Sequence, residues 1–325
     1  MNQFKIFTGT AHRGLAEEIA GRLGMALGDL TCSHFSDGEI RVDLNETVRG
    51  FHVFLIQPTA PAEGRSVNDH LMELMIIVDA MRRASADSIT LLVPYFGYAR
   101  QDRKNGTRSP ITAKVVARML ETSGVSRILT LDLHSDQIQG FVDIPMDNLN
   151  ATALIASYLN RQKLDNPVVV SPDMGGTKRA SKLARLIPQA SIAVIDKRRP
   201  QPNVSEVLHL VGDVAGKTAV IIDDMIDTAG TIVNAAQALK DRGTIRVIVA
   251  CTHPVLSGEA ISRLKAAPVD EVIVCNTMDI PEKKRLDKLT VLSVGPLLAQ
   301  ALTRIHNKEP LTEIIEGNIA LEELP

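Results

Sequence analysis

At 325 residues, the chain is long enough for about two domains that each bury a core of their own. A net charge of −2 and an aromatic content of 3%, without tryptophan, argue against nucleic-acid binding, which uses a basic patch or a base-stacking platform. No apolar run approaches the ~20 residues that span a bilayer, and the N-terminal residues lack a signal-peptide core. We therefore expect a cytoplasmic protein without a membrane partner.

Short apolar runs alternate with helical patterns along almost the whole chain. The predicted strands are Phe4–Phe7, Val53–Gln57, Ile89–Pro94, Ile128–Leu133, Val168–Ser171, Ala193–Asp196, Ala219–Ile222, Val247–Cys251, Glu271–Cys275 and Val291–Ser293. The predicted helices are Gly14–Leu27, Val67–Ser85, Ile111–Thr122, Thr152–Asn160, Thr177–Leu186, Ile232–Arg242, Gly258–Lys265 and Leu297–His306. This alternation predicts the α/β class, with parallel sheets flanked by helices. The layout also predicts a division into domains 1–148 and 149–298, followed by a C-terminal helix and tail, 299–325.

The strongest local signal lies at residues 220–231, where a fully apolar strand runs into polar residues. Asp223 and Asp224 stand where the strand is predicted to end, and five small residues lead into the next helix: Asp227, Thr228, Ala229, Gly230 and Thr231. Uncovered N–H groups at a helix N-terminus form a phosphate cradle, and adjacent carboxylates suit the neighbouring hydroxyls of a ribose. The pattern favours a sugar phosphate ligand. The alternative is an ordinary turn in which Thr228 or Thr231 caps the helix.

Two segments in the first half carry candidate nucleotide-binding residues. Phe35-Ser36-Asp37-Gly38-Glu39 could stack a base and accept from its amino group, although taken alone it is more typical of a hairpin tip. Residues 95–104 follow an apolar strand, where ligands bind in open α/β sheets. Arg100, Arg103 and Lys104 could clamp a polyphosphate there, and the alternative is a solvated charge run.

Three further segments place polar side chains at predicted strand ends. His134 follows one strand and is either a ligand or a hydrogen-bonded structural histidine. Asp173 and two glycines follow another, where they could meet a metal-bound phosphate. Residues 195–203 form the most basic run and end in two prolines, which predict an exposed loop. Such a loop could close over a substrate and neutralise charge, or simply be solvated.

Together these segments resemble the bacterial ribose-phosphate pyrophosphokinase family. The resemblance covers nearly the whole chain, and five matches in the right order carry it: residues 35–39, 98–103, 132–141, 195–204 and 220–231. It implies two tandem type I phosphoribosyltransferase-like domains, each a mainly parallel sheet flanked by helices. It also implies transfer of the β,γ-diphosphoryl group of MgATP to the 1-hydroxyl of ribose 5-phosphate, with release of AMP.

The resemblance assigns a role to each candidate residue. Phe35, Asp37, Gly38, Glu39, Arg100 and Gln101 would bind ATP. Asp223, Asp224, Asp227, Thr228, Ala229, Gly230 and Thr231 would bind ribose 5-phosphate. His134 and Asp173 match the family's metal positions, with Mg²⁺ as the metal, and Lys197 and Arg199 match its catalytic loop. A homohexamer is implied as well. The alternatives are a catalytically silent subunit of such a synthetase and a phosphoribosyltransferase.

Overall fold

The structure, a computed structural model, describes residues 4–198 and 207–316, and it describes side chains for all of these except residues 197, 198, 207 and 208. Residues 4–150, 277–279 and 294–316 form one compact unit, and residues 151–198, 207–276 and 280–293 form a second. The domain boundaries expected after residues 148 and 298 stay a prediction. Within the described ranges, every helix is too short or too polar to cross a bilayer.

The first unit is built on a parallel sheet. Its elements are β1 (Phe4–Thr8), α1 (Arg13–Arg22), β2 (Leu30–His34), β3 (Ile40–Leu44), β4 (His52–Ile56), α2 (Val67–Arg83), β5 (Ser88–Val93), α3 (Thr112–Ser123), β6 (Arg127–Leu131) and β7 (Met146–Leu149). The strand order is β1-β4-β5-β6-β7, and each neighbouring pair is parallel. Because all five strands point the same way, the segments that follow them emerge at one edge of the sheet. The strands β2 and β3 form a separate antiparallel hairpin.

The second unit contains a sheet of seven strands. Its elements are α4 (Thr152–Arg161), β8 (Pro167–Ser171), α5 (Thr177–Leu186), β9 (Ser191–Arg198), β10 (Val207–Val211), β11 (Thr218–Met225), α6 (Gly230–Lys240), β12 (Arg246–His253), α7 (Ala260–Ala266), β13 (Glu271–Cys275) and β14 (Leu289–Leu292). The strand order is β10-β9-β8-β11-β12-β13-β14. Only β10 among these strands runs antiparallel to its neighbour.

The chain then returns to the first unit with α8 (Gly295–Asn307) and α9 (Thr312–Glu316). Each unit therefore has a parallel sheet with helices packed on it, and the predicted α/β class is confirmed. The central strands are apolar on both faces, as β8 and β13 show by being buried at all five positions. Such strands belong in the middle of a parallel sheet, where helices cover both faces.

The predicted strand Ala193–Asp196 lies within β9 and is confirmed, but β9 continues to Arg198, so the predicted loop at 195–203 is wrong for residues 195–198. Those residues are the last four of β9, and they pair with β10 in an antiparallel ladder in which Lys197 stands opposite Leu208. The prolines that argued against a strand are Pro200 and Pro202, and both come after the last paired residue of β9. Proline removes a donor only at its own position, so the ladder forms before it.

Candidate active site

The two central strands of the second unit mark a change of direction in the sheet. From β8 the chain moves to β9 on one side, whereas β11 lies on the other side of β8 and leads on to β12. The loops that leave the carboxyl ends of β8 and β11 therefore diverge and open a crevice between them. Ligands of open α/β sheets bind in such a crevice. The loop after β8 contains Asp173, and the loop after β11 contains residues 227–229.

Asp223 and Asp224 are among the last three residues of β11 and do not belong to the loop that follows it. The strand was predicted to end at Ile222, but its parallel pairing with β12 continues, with Asp223 opposite Cys251 and Met225 opposite His253. β12 is correspondingly longer than predicted, at Arg246–His253. The extra ladder bonds carry both carboxylates to the edge of the sheet without placing them on a loop. Strand residues hold a functional side chain more rigidly than loop residues do.

A guanidinium that the sequence analysis did not single out lies against both carboxylates. Nη1 of Arg179, on the first turn of α5, is 3.1 Å from Oδ1 of Asp223 and 3.5 Å from Oδ1 of Asp224. The exposed fractions of the side chains are 20% for Arg179, 22% for Asp223 and 5% for Asp224. The Asp223 carboxylate also accepts from the backbone N–H of Asp224 at 2.9 Å. The three groups form a compact, half-buried cluster, which we call the carboxylate cluster.

The electrostatics of the carboxylate cluster are unfavourable for a charged Asp223. Burial raises the pKa of Asp223 from 3.8 to about 7, and the neighbouring Asp224 adds to that increase. Arg179 acts in the opposite direction and lowers the pKa, but its single guanidinium serves both carboxylates. Strongly perturbed carboxylates that lie in a crevice are candidates for a functional role. Hydroxyl groups of a ligand would donate to these oxygens and relieve the strain.

The loop after β11 leaves the start of α6 open. Among the described residues, no side chain caps this helix, and Ala229 at the N-cap position is in the left-handed region with φ 62°. The alternative in which Thr228 or Thr231 caps the helix is therefore wrong. Both threonines are exposed. The first N–H groups of the helix, at the positive end of its dipole, face a loop of small residues, which suits an anion.

Three hydrogen bonds from the segment after β12 hold this loop in place. Ser257 Oγ donates to the carboxylate of Asp227, and the backbone N–H of Ser257 donates to the Asp227 carbonyl at 3.0 Å. Nη1 of Arg263, on α7, donates to the Thr228 carbonyl at 3.1 Å. The carbonyl oxygens of Asp227 and Thr228 are thus engaged by Ser257 and Arg263. Because the loop is already fixed, it loses less conformational entropy when an anion binds.

The loop after β8 is tightly folded around its own polar atoms. Asp173 is exposed, and its Oδ1 accepts from the Gly176 N–H at 3.0 Å. Ser171 Oγ donates to the Asp173 carbonyl at 2.6 Å. A Cβ added to Gly176 would lie 2.7 Å from Ser171 Oγ, so only glycine fits at that position. The second carboxylate oxygen of Asp173 is left for other chemistry.

Of the two predicted catalytic residues, Lys197 belongs to the backbone of β9, one residue before the strand ends. Ser171 of β8 stands opposite Val194, so the backbone of β9 continues three residues past that level to Lys197. Because β8 and β9 are parallel, Lys197 is at the same edge of the sheet as the loop with Asp173. The side chain of Lys197 and the whole of Arg199 lie outside the described residues.

The predicted ATP-binding residues belong to the first unit. Phe35, Asp37, Gly38 and Glu39 form the tip of the β2–β3 hairpin, where the Phe35 N–H donates to the Glu39 carbonyl at 2.8 Å and Gly38 has φ 94°. The hairpin geometry is therefore confirmed, and the ring of Phe35 is 51% exposed. An exposed aromatic ring on a rigid tip is suited to stacking on a base.

Arg100 and Gln101 follow β5 and are both exposed. The Gln101 carbonyl accepts from the Ala113 N–H at 3.2 Å, and its side-chain oxygen accepts from Thr112 Oγ1 at 2.5 Å, so the start of α3 fixes this residue. Upstream, an added Cβ on Gly97 would lie 2.6 Å from the Thr59 carbonyl. The chain after β5 therefore packs closely against the segment at Thr59, and Arg100 and Gln101 follow this contact at the carboxyl edge of the sheet.

His134 is exposed and lies just after β6, at the same edge of the first sheet. It comes two residues after Asp132, which is buried, has φ 38° and accepts from Asn150 Nδ2 at 2.5 Å. His134 and Asp173, the two predicted metal ligands, belong to different units, so each is described in its own unit. Within residues 4–198 and 207–316, histidine, cysteine, aspartate and glutamate side chains form no cluster of three that could hold a metal ion by itself.

Three residues at this edge of the second sheet, Arg179, Ser257 and Arg263, were not predicted. Arg179 could have been found from the sequence, because it lies on the first turn of a helix, directly after the glycine loop. A basic residue there is disfavoured by the helix dipole, which suggests that an anionic partner compensates for it. Ser257 and Arg263 had no such signal. They reach the β11 loop only because β11 and β12 are neighbours in the sheet, which local patterns do not specify.

Comparisons with known proteins agree with this architecture. Residues 4–124 match the family described as the N-terminal domain of ribose phosphate pyrophosphokinase, and residues 193–316 match the phosphoribosyl synthetase-associated domain. The chain is 52% identical to the ribose-phosphate pyrophosphokinase of Halalkalibacterium halodurans over 96% of its own length and 97% of that protein. It is 51% identical to that of Bacillus caldolyticus, over 97% and 98%.

A solved structure is similar over almost the entire fold. The crystal structure of phosphoribosylpyrophosphate synthetase from Mycobacterium smegmatis superposes with a TM-score of 0.88 at 43% identity. The match covers 95% of this chain and 100% of that one. With the sequence relatives and both family matches in agreement, the chain belongs to the ribose-phosphate pyrophosphokinase family.

Proposed function

We propose that this chain transfers the diphosphoryl group of MgATP to the 1-hydroxyl of ribose 5-phosphate and forms 5-phosphoribosyl 1-diphosphate and AMP. The observation that carries the proposal is the pairing of the carboxylate cluster with the uncapped start of α6 at the switch point of the second sheet. That pairing provides acceptors for hydroxyls beside donors for a phosphate, which are the two halves of a sugar phosphate. Family membership supports the same reaction.

Ribose 5-phosphate binds in the second unit, in the domain we place at residues 149–298. Asp223 and Asp224 accept hydrogen bonds from the ribose hydroxyls. The 5-phosphate lies on residues 227–231, where N–H groups and the hydroxyls of Thr228 and Thr231 donate to it. The contact from Ser257 to Asp227 supports this arrangement, because it fixes the loop before the ligand arrives.

ATP binds through the first unit. The exposed ring of Phe35 stacks on adenine, and Asp37 and Glu39 accept from the adenine amino group. Arg100 supplies fork-like donors to the phosphates, and Gln101 hydrogen-bonds to the nucleotide. Because Phe35 at the hairpin tip is 51% exposed, the tip is also accessible to a neighbouring subunit. We propose a homohexamer in the cytoplasm, and light scattering of the purified chain would measure the mass of the assembly.

Lys197 and Arg199 are the catalytic residues. Diphosphoryl transfer spreads negative charge over oxygens that are already charged, so positive groups and positioning lower the barrier more than a covalent nucleophile does. The position of Lys197 at the end of β9, on the edge with Asp173, supports this role.

Mg²⁺ is the cofactor, and the residues present fit it. Mg²⁺ keeps several waters and takes one or two carboxylates together with substrate phosphates. The carboxylate of Asp173 is exposed, and its own loop engages only one of its oxygens. A single carboxylate of this kind suits Mg²⁺ that is bound mainly by water and phosphates, and the described residues contain no cluster of three ligands that would enclose a metal. When bound, Mg²⁺ would be held by Asp173 and would neutralise charge on the substrate phosphates. His134 is proposed as the second metal-associated residue.

Product analysis tests the proposal. The purified chain is incubated with MgATP and ribose 5-phosphate, with and without inorganic phosphate, and AMP is separated from ADP while the sugar product is identified by phosphorus NMR. Equal amounts of AMP and 5-phosphoribosyl 1-diphosphate are expected. ADP as the sole nucleotide product would indicate a simple kinase and refute the proposal. An absence of turnover in both buffers would favour the silent subunit.

A further inference from the structure

The carboxylates of Asp223 and Asp224 are adjacent in sequence, yet one nitrogen contacts both. Successive side chains of a regular strand point to opposite faces of the sheet. Nη1 of Arg179 nevertheless lies 3.1 Å from one carboxylate and 3.5 Å from the other. The two acids are therefore turned towards each other at the end of β11, and an arrangement of two neighbouring negative charges needs a cation to persist.

Each group that faces Asp223 has a known effect on its charge. Asp224, on the same strand, raises the pKa of Asp223, and Arg179, on α5, lowers it. Cys251 of β12 is the register partner of Asp223, and burial raises the pKa of that thiol well above its ordinary value, so it is neutral. Arg179 is thus a cationic side chain that lies against both carboxylates of the carboxylate cluster.

From this geometry we infer that Arg179 is a positioning residue for ribose 5-phosphate, acting through the two carboxylates and not through the reacting phosphates. Its guanidinium holds Asp223 and Asp224 in one orientation and favours their ionised form, so that both accept from vicinal hydroxyls. A protonated carboxyl would offer a donor where the sugar also offers donors. The inference rests on the proposed function, because it assigns the carboxylates to the sugar.

The placement of Arg179 fits this task. It is the third residue of α5, directly after the glycine loop that contains Asp173. A basic residue at the start of a helix opposes the helix dipole, so its position there is compensated by its two anionic partners. Its side chain is only 20% exposed, so the ion pair is not a screened surface contact.

Kinetics of two variants with a matched control test the inference. Arg179→Met removes the charge and Arg179→Lys keeps it without the planar fork, while Arg185→Met changes an exposed arginine on the last turn of the same helix. We expect Arg179→Met to raise the KM for ribose 5-phosphate about 10- to 100-fold, the range for losing hydrogen bonds to charged groups. The KM for ATP and kcat should change less than about threefold. Arg185→Met should behave as wild type.

The pH dependence separates positioning from a general structural defect. With the cation gone, the acid limb of kcat/KM for ribose 5-phosphate should move up by about one pH unit, whereas Arg179→Lys should keep the wild-type limb and show a smaller rise in KM. Titration calorimetry of ribose 5-phosphate with Mg²⁺ and a non-hydrolysable ATP analogue should show the same loss of affinity.

Two results would overturn the inference. One is an unchanged KM for ribose 5-phosphate and an unchanged acid limb in Arg179→Met. The other is a fall of kcat/KM that is equal for ribose 5-phosphate and for ATP. If Arg179→Met lacks a cooperative melting transition, Arg179→Lys decides, since an unchanged KM in that variant would equally contradict the role of the fork. The proposed function fails separately, through the wild-type product analysis, whatever the variants do.

Discussion

Replacing Asp223 by asparagine should stabilise the fold while it removes binding of the sugar. The native state holds this carboxylate against Asp224 at the edge of the sheet, and burial raises its pKa from 3.8 to about 7. Between those two pH values the native state binds more protons than the unfolded chain, so the free energy of unfolding falls as pH rises. The loss of folding free energy caused by ionising Asp223 is absent below about pH 4 and complete above about pH 7.

The size of the effect follows from the same pKa values. A change from 3.8 to about 7, at 1.36 kcal/mol per pKa unit, corresponds to about 4 kcal/mol as an upper limit. Asparagine has nearly the shape of aspartate but gives up the 3.1 Å ion pair with Arg179, which offsets part of that gain. We therefore expect Asp223→Asn to raise the free energy of unfolding by about 1–3 kcal/mol at pH 8 and to leave it unchanged near pH 4.

Urea titrations at pH 4, 6 and 8, followed by circular dichroism, would measure the difference between the variant and the wild type. Hydrogen exchange of peptides that cover β11 would localise it. Asp287→Asn, at an exposed aspartate of the same unit, is the matched control and should change stability by less than about 0.5 kcal/mol at each pH. A difference that does not vary with pH, or a variant that is less stable at pH 8, would refute the reasoning.

Three further substitutions probe the carboxyl edge of the second unit's sheet. Lys197→Ala should lower kcat at least about 100-fold with little change in either KM, and full turnover would remove its catalytic role. Gly176→Ala places a Cβ 2.7 Å from a buried hydroxyl and should lower the free energy of unfolding by about 1–3 kcal/mol, whereas Gly14→Ala, with open space around it, should be neutral or stabilising in the same urea titration. Ser257→Ala removes the hydrogen bond to Asp227 and should raise the KM for ribose 5-phosphate about tenfold, with stability nearly unchanged. An unaltered KM would show that this contact does not order the phosphate loop.

The sequence was most informative about the fold where a segment's local chemistry and its place in the sheet agree. Strands such as β8 and β13 are apolar at nearly every position and bounded by turns, so both their existence and their burial on two faces could be predicted. The hairpin tip at residues 35–39 was predicted for a similar reason, since a glycine with positive φ defines its turn.

The errors arise where pairing between distant segments decides the outcome. β11 continues through Asp223 and Asp224 because β12 is there to pair with them, and no local pattern specifies that partner. Residues 197 and 198 extend β9 beyond its predicted end because β10 returns alongside, even though the following prolines suggested a loop. Arg179 escaped notice for the same reason, since its importance depends on two carboxylates that lie 44 and 45 positions further along the chain. The roles of the individual site residues stay predictions.

The two units show how a buried carboxylate that stabilises differs from one that awaits a ligand. In the first unit, Glu73 of α2 is 1% exposed and accepts from Thr10, Gln57 and Arg65 around the loop that follows β1. Its acceptors are already engaged, so that strand–loop–helix unit is closed by its own side chains. In the second unit, Asp223 shares one guanidinium with a second acid, and its pKa is raised. Because a fold tolerates such local conflict mainly where function requires it, the raised pKa at β11, and not the satisfied carboxylate at α2, supports the proposed sugar phosphate site.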